Sequence, residues 1–201
     1  MKIFFDGNIF SKQKIGGISR LNFELIKALS DKKDVEQIFY RGLYIDDYTF
    51  KKEWFKKYFG IKKPNFLGGK ILNLLNNAGL DYFYTANAKK DMIYHSLYYR
   101  VPKNPKGPVV VHAYDMVQEL FGGSKKTIQY KKNAFDRANL IISISESTKK
   151  DICKIYPISP EKIIVAYPGV NEVFFKNRFS GKKEGRPYML YVGARNYKYK
   201  N

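Results

Sequence analysis

Side chains able to bind a sugar or a phosphate follow an apolar run at residues 92–94 of this 201-residue sequence. His95, Tyr98 and Arg100 stand within a few positions of one another there. Imidazole and hydroxyl groups hold sugar hydroxyls through hydrogen bonds, and a guanidinium group suits a phosphate. The segment therefore predicts part of a sugar-binding site. Taken alone, His95 is more typical of an ordinary histidine at a loop edge.

A second group of such residues accompanies the apolar run at 109–113. His112 and Tyr114 alternate on one face of that run, and Asp115 stands at its end. The Asp115 carboxylate is able to accept hydrogen bonds from a sugar or to cap the following helix. The capping role fits the pattern at least as well as the sugar-binding role.

A third candidate is the pair Gly16 and Gly17, which stands where a polar loop meets a segment with apolar residues at helical spacing. The N-terminus of a helix presents free N–H groups and the positive end of its dipole to an anion. A glycine also lets a ligand approach the backbone closely. The pair predicts a phosphate site, whereas an ordinary turn is the alternative that two glycines alone favour.

The elements that must position these residues are short apolar runs alternating with helical segments. Strands are predicted at 2–5, 35–40, 92–94, 109–113, 140–144, 163–166 and 188–192. Helices are predicted after Gly17, over 125–138 and over 147–156. This alternation predicts an α/β, Rossmann-like, doubly wound fold with a mostly parallel sheet and helices on both faces. Because parallel strands end at one edge of a sheet, the candidate residues are expected along that edge.

Residues 51–63 predict a further helix, with aromatic side chains at helical spacing and lysines between them. Such a pattern suits a membrane surface, where anionic lipid attracts each nearby lysine by about 1 kcal/mol. A helix packed in the core, with its lysines extending to solvent, is an equally good interpretation. The membrane-surface candidates are Lys51, Lys52, Trp54, Phe55, Lys56 and Lys57.

The charge balance favours anionic partners. The chain has 37 basic and 18 acidic residues and a formal charge of +19, so phosphorylated substrates, anionic lipid and nucleic acid are all candidates. Lysine greatly outnumbers arginine, and lysine lacks the forked geometry that reads base edges. A basic nucleic-acid-binding module without catalysis is therefore the less favoured alternative.

The sequence also excludes several classes of protein. Its single cysteine has no partner for an internal disulfide, and no cluster of ligands predicts a metal site. No apolar stretch is long enough to span a bilayer, and the apolar start is too short for a signal peptide, so we expect a cytoplasmic protein.

A polar, glycine-containing segment at 177–187 is typical of a linker between domains. We therefore expect a Rossmann-like domain over 1–176 and the first strand and loop of a second domain over 188–201. The rest of that second domain is expected to be missing from the chain.

Taken together, the motifs resemble the amino-terminal domain of GT-B retaining glycosyltransferases of family 4 (group 1). The resemblance covers nearly the whole chain and rests on segments that come in the family's order and spacing. These segments are IFFDGNIFSKQKIGGISR, IYHSLYYRVP, VVVHAYDMVQELF, FDRANLIISISESTKKDI and KIIVAYPGVNEVFF.

The resemblance implies an enzyme that transfers a sugar from a nucleotide-sugar to a lipid-linked saccharide, with retention of configuration, in bacterial surface polysaccharide synthesis. It implies a peripheral location at the inner face of the cytoplasmic membrane and no cofactor or metal. This half would bind the acceptor and the missing half the donor, so the chain alone is expected to be inactive.

The resemblance also assigns residues to the two substrates. The acceptor-binding or active-site rim would comprise His95, Tyr98, Arg100, His112, Tyr114 and Asp115, and the donor phosphates would lie against Gly16, Gly17, Arg195 and Lys200. The family's usual His-Asp pair corresponds here to Tyr114-Asp115, with His112 two positions earlier as the possible substitute.

Overall fold

A seven-stranded parallel sheet organises the chain, of which the computed structural model describes residues 1–170 and 189–190. The strands are β1 (Lys2–Asp6), β2 (Glu36–Tyr44), β3 (Lys57–Lys62), β4 (Met92–Ser96), β5 (Val109–Ala113), β6 (Leu140–Ser143) and β7 (Ile163–Val165). They lie in the order β3-β2-β1-β4-β5-β6-β7, and every neighbouring pair is parallel. The order reverses between β1 and β4, and ligands of such sheets bind outside the carboxyl ends of the strands at that reversal.

Five α-helices connect the strands of the described residues. They are α1 (Gly17–Ser30), α2 (Gly69–Asn87), α3 (Val117–Leu120), α4 (Lys125–Arg137) and α5 (Glu146–Ile155), joined by 3-10 turns at Asn8–Ser11, Lys52–Trp54 and Pro160–Lys162. The Ser124 hydroxyl accepts the Thr127 N–H at the start of α4, and the Ser145 hydroxyl accepts the Thr148 N–H at the start of α5. These caps explain why the sequence locates both helices to within a residue or two.

Apolar side chains are buried on both faces of the sheet. On one face, Phe5 and Phe39 pack in a cluster with Ile26 of α1. On the other face, the cluster contains Phe4 and Tyr94 from the sheet, together with residues of α2, α4 and α5. Both faces of the parallel sheet therefore carry helices, and the predicted α/β, Rossmann-like class is confirmed.

The predicted helix over 51–63 is wrong. Residues Lys52–Trp54 form a single 3-10 turn, and Lys57–Lys62 form β3 at the edge of the sheet. Phe55 is buried with its ring 5.2 Å from that of Phe39, and Trp54 is half-buried beside Phe50. Burial of aromatic rings against β2 decides the local conformation, because pleated strands accept aromatic side chains readily.

The membrane-surface candidates divide accordingly. Trp54 and Phe55 belong to the core of the domain, as the alternative interpretation has it. The lysines at 51, 52, 56 and 57 are exposed, so a role for them at a surface stays a prediction.

Candidate functional site

A cleft of about 140 Å³ opens at the carboxyl edge of the sheet. Its walls come from the first turn of α1, the loops after β4 and β5, α3 and α4. The lining residues are Ile18, Tyr98, Tyr99, Asp115, Gln118, Thr127 and Lys131. Segments that are far apart in the sequence thus meet at one edge of the sheet. Tyr98 and Asp115 line the same cleft as Ile18, which directly follows Gly17.

Asp115 combines a structural contact with exposure to solvent. Its Oδ1 accepts the Val117 N–H at 3.1 Å, which caps the start of α3. Nearly half of its side-chain surface, 49%, remains exposed. The carboxylate therefore has capacity to accept further hydrogen bonds inside the cleft.

A buried lysine holds the back of the cleft together. Lys131, with 3% of its side chain exposed, donates to the Glu119 carboxylate at 3.0 Å and to the Asp115 carbonyl at 2.8 Å. The Tyr156 hydroxyl donates to the other oxygen of Glu119 at 2.8 Å. These contacts fix α3 and α5 against α4, so the wall that carries Asp115 is rigid.

Positive charge collects near Tyr98. Lys12 Nζ lies 5.7 Å from the centre of the Tyr98 ring. Burial and the nearby charge of Lys126 lower the pKa of Lys12. Within the described ranges, neither lysine forms an ion pair, so both charges are available to an anion.

Gly16 precedes α1 and lies against the Gln13 side chain, whereas Gly17 begins the helix in open space. The Gln13 side chain accepts the Ser19 N–H at 3.2 Å, and the Arg20 N–H bonds to the Gly16 carbonyl at 2.9 Å. A Cβ atom placed on Gly17 would have no heavy atom within 4 Å. The first turn of the helix is therefore accessible to a phosphate, as the candidate role requires.

The two histidines lie within the sheet instead of in the cleft. β4 extends through Ser96, so His95 pairs with Phe5 on one side and Val110 on the other, whereas the sequence predicted a strand ending at Tyr94. The rings of His95 and His112 are 4.8 Å apart and both residues are buried. Burial lowers the pKa of each, and the neighbouring His112 lowers that of His95 further.

Arg100 and Tyr114 are also engaged within the protein. Arg100 donates to the Asp81 carboxylate at 2.8 Å. The Tyr114 hydroxyl donates to the Leu97 carbonyl at 2.7 Å and accepts from the Asn22 amide at 2.8 Å. Tyr114 is buried, so its predicted place on an open rim is corrected: it supports the loop that carries Tyr98.

Replacing Tyr114 by phenylalanine is expected to lower the free energy of unfolding by about 1–2 kcal/mol, because the buried Leu97 carbonyl loses its closest donor. Urea denaturation measures this change. Tyr130, whose ring is half exposed, supplies the matched Tyr→Phe control, with an expected change within about 0.5 kcal/mol. Equal changes in the two variants would contradict the structural role of the Tyr114 hydroxyl.

Asp6 was not recognised in the sequence, although it stands at the reversal of strand order. Its carboxylate accepts the N–H groups of Asn8 and Leu97, each at 3.0 Å, and it is fully buried. Burial raises the pKa of Asp6 to about 6. The contact joins the end of β1 to the loop after β4, in which Tyr99 adopts a positive φ of 56°. The Asp-Gly dipeptide directly after the first apolar run was the available signal.

Several predictions fall on residues outside the described ranges. These are the linker at 177–187, most of the strand at 188–192, and the phosphate-binding candidates Arg195 and Lys200. Among the described residues, no three His, Cys, Asp or Glu side chains gather as metal ligands would. None of the helices in residues 1–170 combines the length and apolar character needed to cross a bilayer.

The fold is similar to that of one half of solved GT-B glycosyltransferases. Anabaena Alr3699/HepE in complex with UDP-glucose is 16% identical, with a TM-score of 0.57 over 90% of this chain and 47% of that chain. Its complex with UDP and glucose gives a TM-score of 0.56 at the same identity and coverage. The apo form of the lipopolysaccharide outer core galactosyltransferase WaaB is 17% identical, with a TM-score of 0.50 over 83% of this chain and 45% of that chain.

The family follows from the sequence match. The model of Glycosyltransferase Family 4 matches residues 15–174, so the chain belongs to glycosyltransferase family 4. No curated protein matches the chain. The chain spans about half the length of the solved structures that it resembles.

Proposed function

We propose that the chain is the acceptor-binding half of a retaining glycosyltransferase. Its substrates are a nucleotide-sugar donor and a lipid-linked saccharide acceptor, in bacterial surface polysaccharide synthesis at the inner face of the cytoplasmic membrane. The observation that carries the proposal is the single cleft in which Ile18, Tyr98 and Asp115 meet. Family membership supports the reaction class and disfavours a nucleic-acid-binding module. HepE was solved with UDP-glucose, and WaaB is a galactosyltransferase of the lipopolysaccharide outer core.

The cleft has the groups that saccharide binding requires. The half-buried Tyr98 ring offers a face on which a sugar ring can stack, and the half-exposed Asp115 carboxylate accepts hydrogen bonds from sugar hydroxyls. Lys12 beside Tyr98, and Lys126 near Lys12, add positive charge that no ion pair of the described residues neutralises. That charge suits the phosphate of a carrier-linked acceptor.

The donor diphosphate is assigned to the start of α1. The N–H groups of Gly17 and Ile18 precede the first hydrogen bond of the helix, and the open space at Gly17 admits a phosphate. Negative charge grows on the diphosphate as its bond to the sugar breaks, and positive groups placed there stabilise the transition state. Arg195 and Lys200 are proposed to supply further positive charge, in place of a metal.

The transfer needs no nucleophile from the protein. The acceptor oxygen forms a bond to the anomeric carbon while the bond from that carbon to the diphosphate oxygen breaks on the same face of the sugar. The proton of the acceptor hydroxyl passes to the departing diphosphate. The anomeric configuration is therefore retained, and the products are the extended saccharide and a nucleoside diphosphate.

Replacing Gly17 by valine is expected to lower kcat/KM for sugar transfer about 100-fold, because the new side chain fills the space assigned to the phosphate. The assay measures release of nucleoside diphosphate by a protein that joins this domain to a donor-binding domain, because the 201-residue chain alone is expected to be inactive. Gly69→Val is the matched control, since Gly69 also begins a helix and has open space around its Cβ position. An unchanged kcat/KM in Gly17→Val would contradict the assignment of the phosphate to α1.

The assignment of the acceptor to this half and of the nucleotide-sugar mainly to the other half is tested with the 201-residue chain itself. Ligand-observed NMR should detect binding of phosphorylated saccharides, with a loss of signal in Tyr98→Ala. Nucleotide-sugars should bind only weakly. Tight binding of a nucleotide-sugar by this chain would show that the acceptor assignment is wrong.

A further inference from the structure

Asp6 holds the loop that carries Tyr98 from inside the domain. Its side chain is fully buried at the end of β1. One carboxylate oxygen, Oδ2, accepts the Leu97 N–H at 3.0 Å, and the other, Oδ1, accepts the Asn8 N–H at 3.0 Å. Both oxygens are therefore used to hold the backbone of two neighbouring segments, one after β1 and one after β4.

The two backbone partners of Asp6 in turn hold Tyr98. The Asn8 amide donates to the Tyr98 carbonyl at 2.9 Å, and Leu97 directly precedes Tyr98 in the chain. The Leu97 carbonyl accepts the Tyr114 hydroxyl at 2.7 Å. These contacts fix the peptide groups on both sides of Leu97 and the carbonyl of Tyr98. They therefore determine where the Tyr98 side chain meets the cleft that it lines.

The ionised form of Asp6 is the form suited to this role. An ionised carboxylate accepts hydrogen bonds with both oxygens, whereas one oxygen of a protonated carboxyl carries the proton and donates it. Protonation therefore removes one of the two acceptors that face the Asn8 and Leu97 N–H groups. The loop is then held by one strong hydrogen bond from Asp6 instead of two.

The surroundings of Asp6 set the pH at which this change occurs. Burial raises the pKa of Asp6 to about 6, against the opposing effects of the two N–H groups and of Arg100. Burial also raises the pKa of the three nearby tyrosines, so between pH 7 and pH 5 they stay neutral and Arg100 stays charged. The charged and titratable groups around Asp6 include Lys12, Tyr40, Asp81, Tyr94, Arg100 and Tyr114.

We infer that Asp6 is a positioning residue of the saccharide cleft, whose ionised carboxylate holds residues 97 and 98 in the conformation that binds the acceptor. The inference rests on the proposed function, because it takes the cleft lined by Tyr98 as the acceptor site. It adds that acceptor affinity follows the charge of one buried group, which touches no substrate itself.

Amide NMR of the 201-residue chain without ligand tests the first half of the inference. The Asn8 and Leu97 N–H signals should move with a midpoint near pH 6, because their shared acceptor changes its charge. The Tyr98 amide signal should move in the same titration. Circular dichroism at pH 5 and pH 7 checks that the fold is retained. A Tyr98 signal that stays constant while Leu97 titrates would overturn the inference.

Affinity for the methyl phosphodiester of a saccharide tests the second half, because a phosphodiester lacks the second ionisation near pH 6 of a phosphate monoester. Kd should be about tenfold higher at pH 5 than at pH 7, since the ionised fraction of Asp6 falls from about 0.9 to about 0.1. In Asp6→Asn, binding at pH 7 should be about tenfold weaker than in the unchanged chain, and the pH dependence should vanish.

A second buried carboxylate supplies the matched control. Asp46 is 1% exposed, accepts the Tyr48 N–H at 2.9 Å and pairs with Arg41 at the end of β2. Asp46→Asn should retain both the affinity and its pH dependence within about twofold, although it also removes a buried charge. Lys12→Met should weaken binding at both pH values and retain the pH dependence. Persistence of the pH dependence in Asp6→Asn, or its loss in Asp46→Asn, would overturn the inference.

The inference and the proposed function fail in different ways. Equal affinity of the unchanged chain at pH 5 and pH 7 would retain the saccharide cleft and remove the role of Asp6. Absence of saccharide binding at either pH in a folded chain would show that the acceptor assignment is wrong, and the role inferred for Asp6 would be lost with it.

Discussion

Replacing Lys131 by alanine is expected to lower the free energy of unfolding by about 3–5 kcal/mol. The change leaves the Glu119 carboxylate, whose side chain is 3% exposed, buried without its positive partner. The Asp115 carbonyl loses its contact at 2.8 Å at the same time. A buried charge without a partner costs far more than an exposed ion pair contributes, so the effect should dominate any loss of packing.

Urea denaturation of the purified chain measures the effect, and the neighbouring lysine is the control. Lys132 lies on the exposed side of α4 and pairs with Asp136 at 2.7 Å. Lys132→Ala should change the free energy of unfolding by about 0.5 kcal/mol or less. If Lys131→Ala were no worse than Lys132→Ala, the cleft wall could not depend on the buried lysine.

Acidification from pH 6.5 to pH 4 is expected to lower the free energy of unfolding by about 3 kcal/mol through His112 alone. Burial lowers the pKa of His112 from 6.5 to about 4, so the unfolded chain binds more protons than the folded chain in this interval. The stabilising contribution of neutral His112 is therefore present above pH 6.5 and is lost as the pH falls towards 4. His95, whose pKa is also lowered by burial, acts in the same direction.

Asp6 has the opposite effect from His112 on how stability depends on pH. Its pKa is raised from 3.8 to about 6, so the folded chain binds more protons than the unfolded chain between these values and gains stability as the pH falls. The contribution of His112 is isolated by comparing the stability profiles of the unchanged chain and His112→Gln, measured by urea denaturation at several pH values. Asp6→Asn should make the acid loss steeper, whereas parallel profiles in the His112 variant would contradict its buried neutral state.

Local patterns were sufficient where neighbouring residues alone determine the structure. The serines at 124 and 145 cap α4 and α5 directly, and both helices occur where the sequence predicts them. The segment at 51–63 shows the opposite case. Its aromatic spacing satisfies a helix, but the rings of Phe55 and Tyr58 pack against Phe39 of β2, a contact that only the assembled sheet provides.

The candidate site shows the same division. Gly17 and Asp115 were recognisable because glycine, capping residues and the ends of apolar runs are local signals. The length of β4 depends on its pairing with β1 and β5. The strand runs two residues past its predicted end at Tyr94, and this places His95 inside the sheet. Asp6 bonds to the Leu97 N–H, which is 91 positions away, and no local pattern reveals such a partner.

The left-handed backbone of Tyr99 has a consequence for how a ligand enters the cleft. A tyrosine with a φ of 56° stores strain of about 1 kcal/mol or more, which its surroundings must hold in place. The Tyr99 hydroxyl accepts the Tyr114 N–H at 3.2 Å, and Asp6 holds the same loop through Leu97. The ordering entropy of this wall is therefore lost during folding. The proposed saccharide acceptor would meet a preorganised surface, and ordering the loop would not reduce its binding free energy.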